Sequence, residues 1–185
     1  MFFRRFGLQD VKTILLNSIL LFVVLLYVYP LKFIFSLLTQ GNIIIHPDGT
    51  TVTKLSTTGE VDQLMLIYGI GFFVIYSIFL LMHMHALAKK DELRLNAIEM
   101  YNTRTAMYGN LTMMSIGALS TLFALLGIFT DLQLSSYSGL SYALIGIALS
   151  VLYRLRAKKR NKIFTSDEIQ KMLQEKLVIE EKQII

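Results

Sequence analysis

The sequence predicts an all-α integral membrane protein: four transmembrane helices, a short extracytoplasmic β-hairpin and a cytoplasmic amphipathic tail helix. Three observations predict it. The 185 residues are 54% hydrophobic and only 17% charged, whereas a soluble domain is about a quarter charged. Four stretches lack Asp, Glu, Lys and Arg over lengths that cross a bilayer. Basic residues gather in alternate connections between those stretches.

Each element follows from where the charges stop. Lys12 to Lys32 encloses 19 uncharged residues, Asp62 to Lys89 encloses 26, Arg104 to Asp131 encloses 26 and Asp131 to Arg154 encloses 22. About 20 apolar residues cross the hydrocarbon core as a helix. Inside lipid the backbone must satisfy its own hydrogen bonds, so each run is expected to be helical. The spans are placed at 13–38, 64–87, 107–130 and 138–155, in a membrane domain 1–157 ahead of a basic tail 158–185. Arg4, Arg5 and Lys12 give the first span a signal-like start. Its apolar core is longer than the about 7–15 residues of a signal peptide, and no small-residue cleavage site follows, so it is expected to stay in the membrane.

The connections differ in kind. In loop 39–63, "NIIIHPDGTTVTKL" sets Pro-Asp-Gly between two β-prone runs, a hairpin signal at 42–55. In "KKDELRLNAIEMYNTR", Leu93, Ala97, Met100 and Tyr101 fall at helical spacing, which extends the second span into an amphipathic helix. In the tail, Thr165 and Glu168 read as a capping box, opening a helix near 166–182 with Ile169, Met172, Leu173 and Leu177 as its apolar stripe.

Orientation comes from the basic residues. Arg4, Arg5 and Lys12 precede span one, Lys89, Lys90, Arg94 and Arg104 follow span two, and Arg154, Arg156, Lys158, Lys159, Arg160 and Lys162 follow span four. Loop 39–63 sets Lys54 against Asp48, Glu60 and Asp62, and loop 131–137 carries only Asp131. Positive residues stay cytoplasmic, so both termini are expected inside a cell (inner) membrane. The six basic residues from Arg154 to Lys162 are expected to bind anionic lipid at that face, at about 1 kcal/mol each.

Chemistry is sparse. The chain has no cysteine, which removes disulfides and thiolate chemistry. His83 and His85 in "MHMH" lie two residues apart, on opposite faces of a helix, so a shared metal ion is not expected. "YGIGFF" at 68–73 lacks the Thr-Val-Gly-Tyr-Gly order of a potassium filter, and Gly69 and Gly71 read as packing positions. Gly139, Ala143 and Gly146 form a small-residue stripe, read first as packing within the bundle and second as a contact between subunits. No paired intramembrane carboxylates and no phosphate loop occur, which argues against an enzyme, a cofactor or a nucleic-acid partner. Pro30 is expected to bend or end the first helix. Lys32 can snorkel outward from there. Asn17 reads as an inter-helix hydrogen bond, or else as a cavity-lining group.

The stretch "FFRRFGLQDVKTILLNSILLFVVLLYVYPLKF", residues 2–33, resembles the approach to the third helix, and that helix, of bacterial members of the endosomal–lysosomal potassium channel family (transmembrane protein 175). Phe2, Phe3, Arg4, Arg5, Asp10, Leu16, Asn17 and Pro30 carry the likeness. "YGIGFFVIYSIFLLMHMHAL" and the two later spans are similar to helices four to six. The family's channels carry Phe-Ser-Asp on a pore-lining first helix. Here the only Ser-Asp, Ser166-Asp167, lies in the tail, so no pore residue carries over. The resemblance implies a potassium-transporting oligomer; the scarcity of intramembrane polar groups implies a non-conducting assembly or partner-binding protein. On the sequence alone, weak or no potassium flux is expected from this chain by itself.

Overall fold

The computed structural model describes residues 10–40, 43–45, 51–53, 58–93, 95–130, 135–165, 168, 171–172 and 174. The helices are α1 (Val11–Gln40), α2 (Thr58–Ala88), α3 (Ala97–Thr130), α4 (Ser135–Ser141) and α5 (Leu144–Ile163). Between α1 and α2, strands β1 (Ile43–Ile45) and β2 (Thr51–Thr53) pair antiparallel with Ile44 opposite Val52. The turn that joins them lies outside the described residues, as does most of the tail segment 166–182. Four segments are long and apolar enough to cross a membrane: Val11–Phe33, Glu60–Ala88, Ala97–Thr130 and Tyr137–Ile163.

Helix α1 starts on Asp10. The Asp10 carbonyl accepts the Ile14 N–H at 3.0 Å, the first hydrogen bond of the helix, and its carboxylate accepts the Thr13 hydroxyl. Pro30 does not end this helix, which runs past it to Gln40. A proline forfeits one backbone hydrogen bond. Ending the helix in hydrocarbon would orphan several, so continuation wins.

Helices α2 and α3 form the central antiparallel pair. Asp62 sits opposite Gly127, Gly69 opposite Thr121, and Phe73 opposite Gly117; further along, His83 meets Asn110. A β-carbon on Gly117 would lie 3.0 Å from the Phe73 backbone nitrogen. Glycine there lets the two backbones approach. Helix α1 lies against α2 through Leu20, Ile78 and Met82, with Leu16, Val23, Val74, Ile75 and Phe79 packed around them. Helices α4 and α5 lie against α3.

Two expectations are corrected. The second span does not continue as an amphipathic cytoplasmic helix: it ends at Ala88, turns through 89–93 and restarts at Ala97. Asn96 forces the restart. Its Oδ1 accepts the Glu99 N–H at 2.9 Å while Glu99 Oε2 accepts the Asn96 N–H at 3.1 Å, a reciprocal capping box. The fourth span is not one helix from 138 to 155. It breaks at Tyr142–Ala143, where Tyr142, Ala143 and Ile145 donate to carbonyls three residues back, the tighter 3₁₀ pattern. Ser138 anchors the break, donating to the Ser120 carbonyl at 3.0 Å.

Candidate functional site

At one end of the bundle a polar clasp joins α1 to α2. His85 Nε2 lies 2.6 Å from Asp10 Oδ2, with side chains 16% and 22% exposed. The Thr13 hydroxyl beside Asp10 holds its carboxyl down to about 2, with His85 and Lys89 adding smaller pulls against the opposing effect of burial. Lys89 pairs with Glu92 at 3.0 Å. His83 points the other way, its Nδ1 lying 3.2 Å from Asn110 Nδ2 on α3 and 2.8 Å from the Phe79 carbonyl. The two histidines thus stitch α2 to different neighbours, as their spacing requires. Among the described residues no three His, Asp or Glu side chains gather into a metal site.

Above the clasp, aromatic rings fill the space between helices. Tyr27 packs on Tyr68 at 5.2 Å, and Tyr142 meets both Tyr68 and Phe72 edge-on at 5.2 Å. Phe72, Tyr76 and Phe79 continue the row along α2. The Tyr27 hydroxyl donates to the Tyr68 carbonyl at 3.3 Å. The helix break supplies Tyr142 to this row, so the turn and the aromatic packing are one feature. Further out, Asp62 is 2% exposed, and its Oδ1 has no hydrogen-bond partner among the described residues.

The residues singled out from sequence fall into separate places. Gly69 and Gly71 do pack: a β-carbon on Gly69 would lie 2.6 Å from Thr121 Oγ1, and one on Gly71 would overlap the Tyr27 ring. Added β-carbons at Gly139 and Gly146 would meet none of the described residues within 4 Å; Ala143 between them is exposed. Asn17 is half-buried, and among the described residues its amide bonds to no other helix. Lys32 is exposed, and Pro30 borders an apolar groove of about 300 Å³ with Leu26, Tyr27, Ile67 and Gly71. Of the basic cluster, Arg154, Lys158, Lys159 and Lys162 are exposed, while Arg156 and Arg160 turn partly inward.

Sequence reasoning missed the Asp10–His85 clasp and the role of Tyr142. Asp10 and His85 lie 75 residues apart, and nothing local links them. Tyr142 lies in a charge-free run, and the helix break that turns it toward α2 has no proline to mark it.

Apolar helices long enough to cross a bilayer, packed around an aromatic interior, define a multi-pass membrane protein. No family model matches the chain. It is 38% identical over 169 residues to a potassium channel of Marivirga tractuosa, covering 88% of this chain and 67% of that relative. Its fold is similar to a crystal structure of the potassium channel MtTMEM175, a variant in complex with a nanobody–MBP fusion, with a TM-score of 0.69 and 36% identity over 85% of this chain and 69% of that one. The chain belongs to the bacterial TMEM175 family of potassium channels.

Proposed function

We propose that this chain is a subunit of a potassium-conducting oligomer in a bacterial inner membrane, with both termini cytoplasmic and strands β1 and β2 outside. The observation that carries the oligomer is the filled interior. Tyr27, Tyr68, Phe72 and Tyr142 close the space between the helices, so an ion path runs between copies and not through one. Gly139 on α4 and Gly146 on α5 suit the contact between copies, because small residues let backbones approach and an added β-carbon at either would meet none of the described residues within 4 Å. Conduction then depends on an apolar constriction, which gates by dewetting. The two relatives, both potassium channels, support potassium as the ion.

Purified protein in liposomes under a potassium gradient tests this, with mass measurement of the detergent-solubilised assembly alongside. Expected are an oligomer and potassium-selective uptake, both weakened by Gly146→Leu. An assembled protein that passes no potassium would leave the non-conducting reading as the better one.

A further inference from the structure

Arg156 and Arg160 stand apart from the basic residues around them. Arg156 is clamped: its guanidinium lies 4.5 Å from the Tyr101 ring centre and 4.7 Å from that of Tyr108. Its Nε donates to Thr105 Oγ1 at 3.2 Å, and its carbonyl accepts the Tyr101 hydroxyl at 2.7 Å. Stacking on aromatic faces fixes an arginine in direction while leaving its outer nitrogens free to donate. One turn on, Arg160 Nε is buried and donates to no acceptor among the described residues. Neither arginine forms an ion pair with a carboxylate among the described residues.

Both line a cavity of about 340 Å³ between α3 and α5, together with Tyr101, Asn102, Thr105 and Tyr153. That wall holds two cations, two tyrosine hydroxyls, an amide and a hydroxyl, and no acidic side chain. A buried guanidinium nitrogen without an acceptor is costly, so the cavity is built for a group that supplies several anionic oxygens. Tetrahedral oxyanions fit best, because a guanidinium fork meets two phosphate oxygens at once. We infer that this cavity, between α3 and α5 at the end of the bundle where the basic residues gather, is a specific binding site for a phosphate group. A phospholipid headgroup and a free phosphate share that chemistry. The placement of the cavity at the cytoplasmic boundary rests on the topology proposed above; the site itself does not depend on conduction.

The site differs from a diffuse basic surface in a way that can be measured. Full-length protein in neutral nanodiscs is titrated with short-chain phosphatidate, short-chain phosphatidylcholine and inorganic phosphate, and binding is read by native mass spectrometry and thermal shift. Arg160→Gln is expected to weaken phosphatidate binding at least tenfold and Arg160→Lys to restore part of it. Arg154→Gln, on the exposed side of α5, is expected to change it less than twofold. Competition by inorganic phosphate would identify free phosphate as the ligand, and its failure to compete would identify the lipid headgroup; both support the site. Equal losses in Arg154→Gln and Arg160→Gln, or undiminished binding in a folded Arg160→Gln protein, would overturn it. An unchanged melting profile of Arg160→Gln without ligand verifies that its replacement leaves the fold intact.

Discussion

Asp10 illustrates how much one residue at a membrane boundary can carry. It starts α1, takes the Thr13 hydroxyl and faces His85 across the gap to α2. Its carboxyl lies at about 2, below its ordinary value, chiefly through Thr13. A carboxyl depressed on folding stabilises the fold while ionised, and that contribution fades as pH falls from its unfolded value toward its folded one. The window for Asp10 therefore lies below about pH 4, clear of neutral pH. In a His85→Gln background, which removes the nearby imidazole, the melting midpoint of the Asp10 protein should exceed that of Asp10→Asn by a constant margin above about pH 5. The margin should shrink on further acidification. A margin that grows as pH falls would show that the neutral acid, not the carboxylate, makes the contact.

Glycines separate packed faces from open ones at the scale of an element. Gly117 faces the Phe73 backbone across α2 and α3, where an added methyl group would lie 3.0 Å from the backbone nitrogen and the neighbouring helix would have to give way slightly. Gly146 faces open space. Gly117→Ala should therefore cost about 1–3 kcal/mol of stability, and Gly146→Ala less than about 0.5 kcal/mol, both read by unfolding in mixed micelles. Equal effects would mean that α2 and α3 are not in contact as described. The four spans were legible from charge-free runs because lipid leaves a polar backbone one solution. Their interruptions were less so. Asn96-x-x-Glu99 was present to mark the restart of α3, but the apolar spacing of Leu93, Ala97, Met100 and Tyr101 masked it. The break at Tyr142 depends on Ser120 of another helix and on rings of α2, so no local signal announces it. Arg156 and Arg160 read only as part of a charge run, since the tyrosines that set them apart come from α3 as well as α5.

Across the whole molecule, the packing decides which segments share a side of the membrane. The central pair α2–α3, with α1 on one side and α4–α5 on the other, fixes which ends share a side: the start of α1, the turn 89–96 and the end of α5 lie together. The Asp10–His85 and Tyr101–Arg156 contacts tie these segments at one level. They also carry most of the basic residues, while β1 and β2 belong to the opposite end. On the proposed topology the excess of Lys and Arg puts the first group on the cytoplasmic side. The chain has no native cysteine, so single cysteines report without background. Thr51, exposed on β2, and Lys158, exposed on α5, sit at opposite ends. An impermeant thiol reagent added to intact cells should modify Thr51→Cys and spare Lys158→Cys until the membrane is permeabilised. Modification of Lys158→Cys alone would invert the bundle and move the phosphate cavity to the outer leaflet. Modification of both in sealed cells would mean that the protein inserts in two orientations, so that the positive-inside bias does not decide its topology.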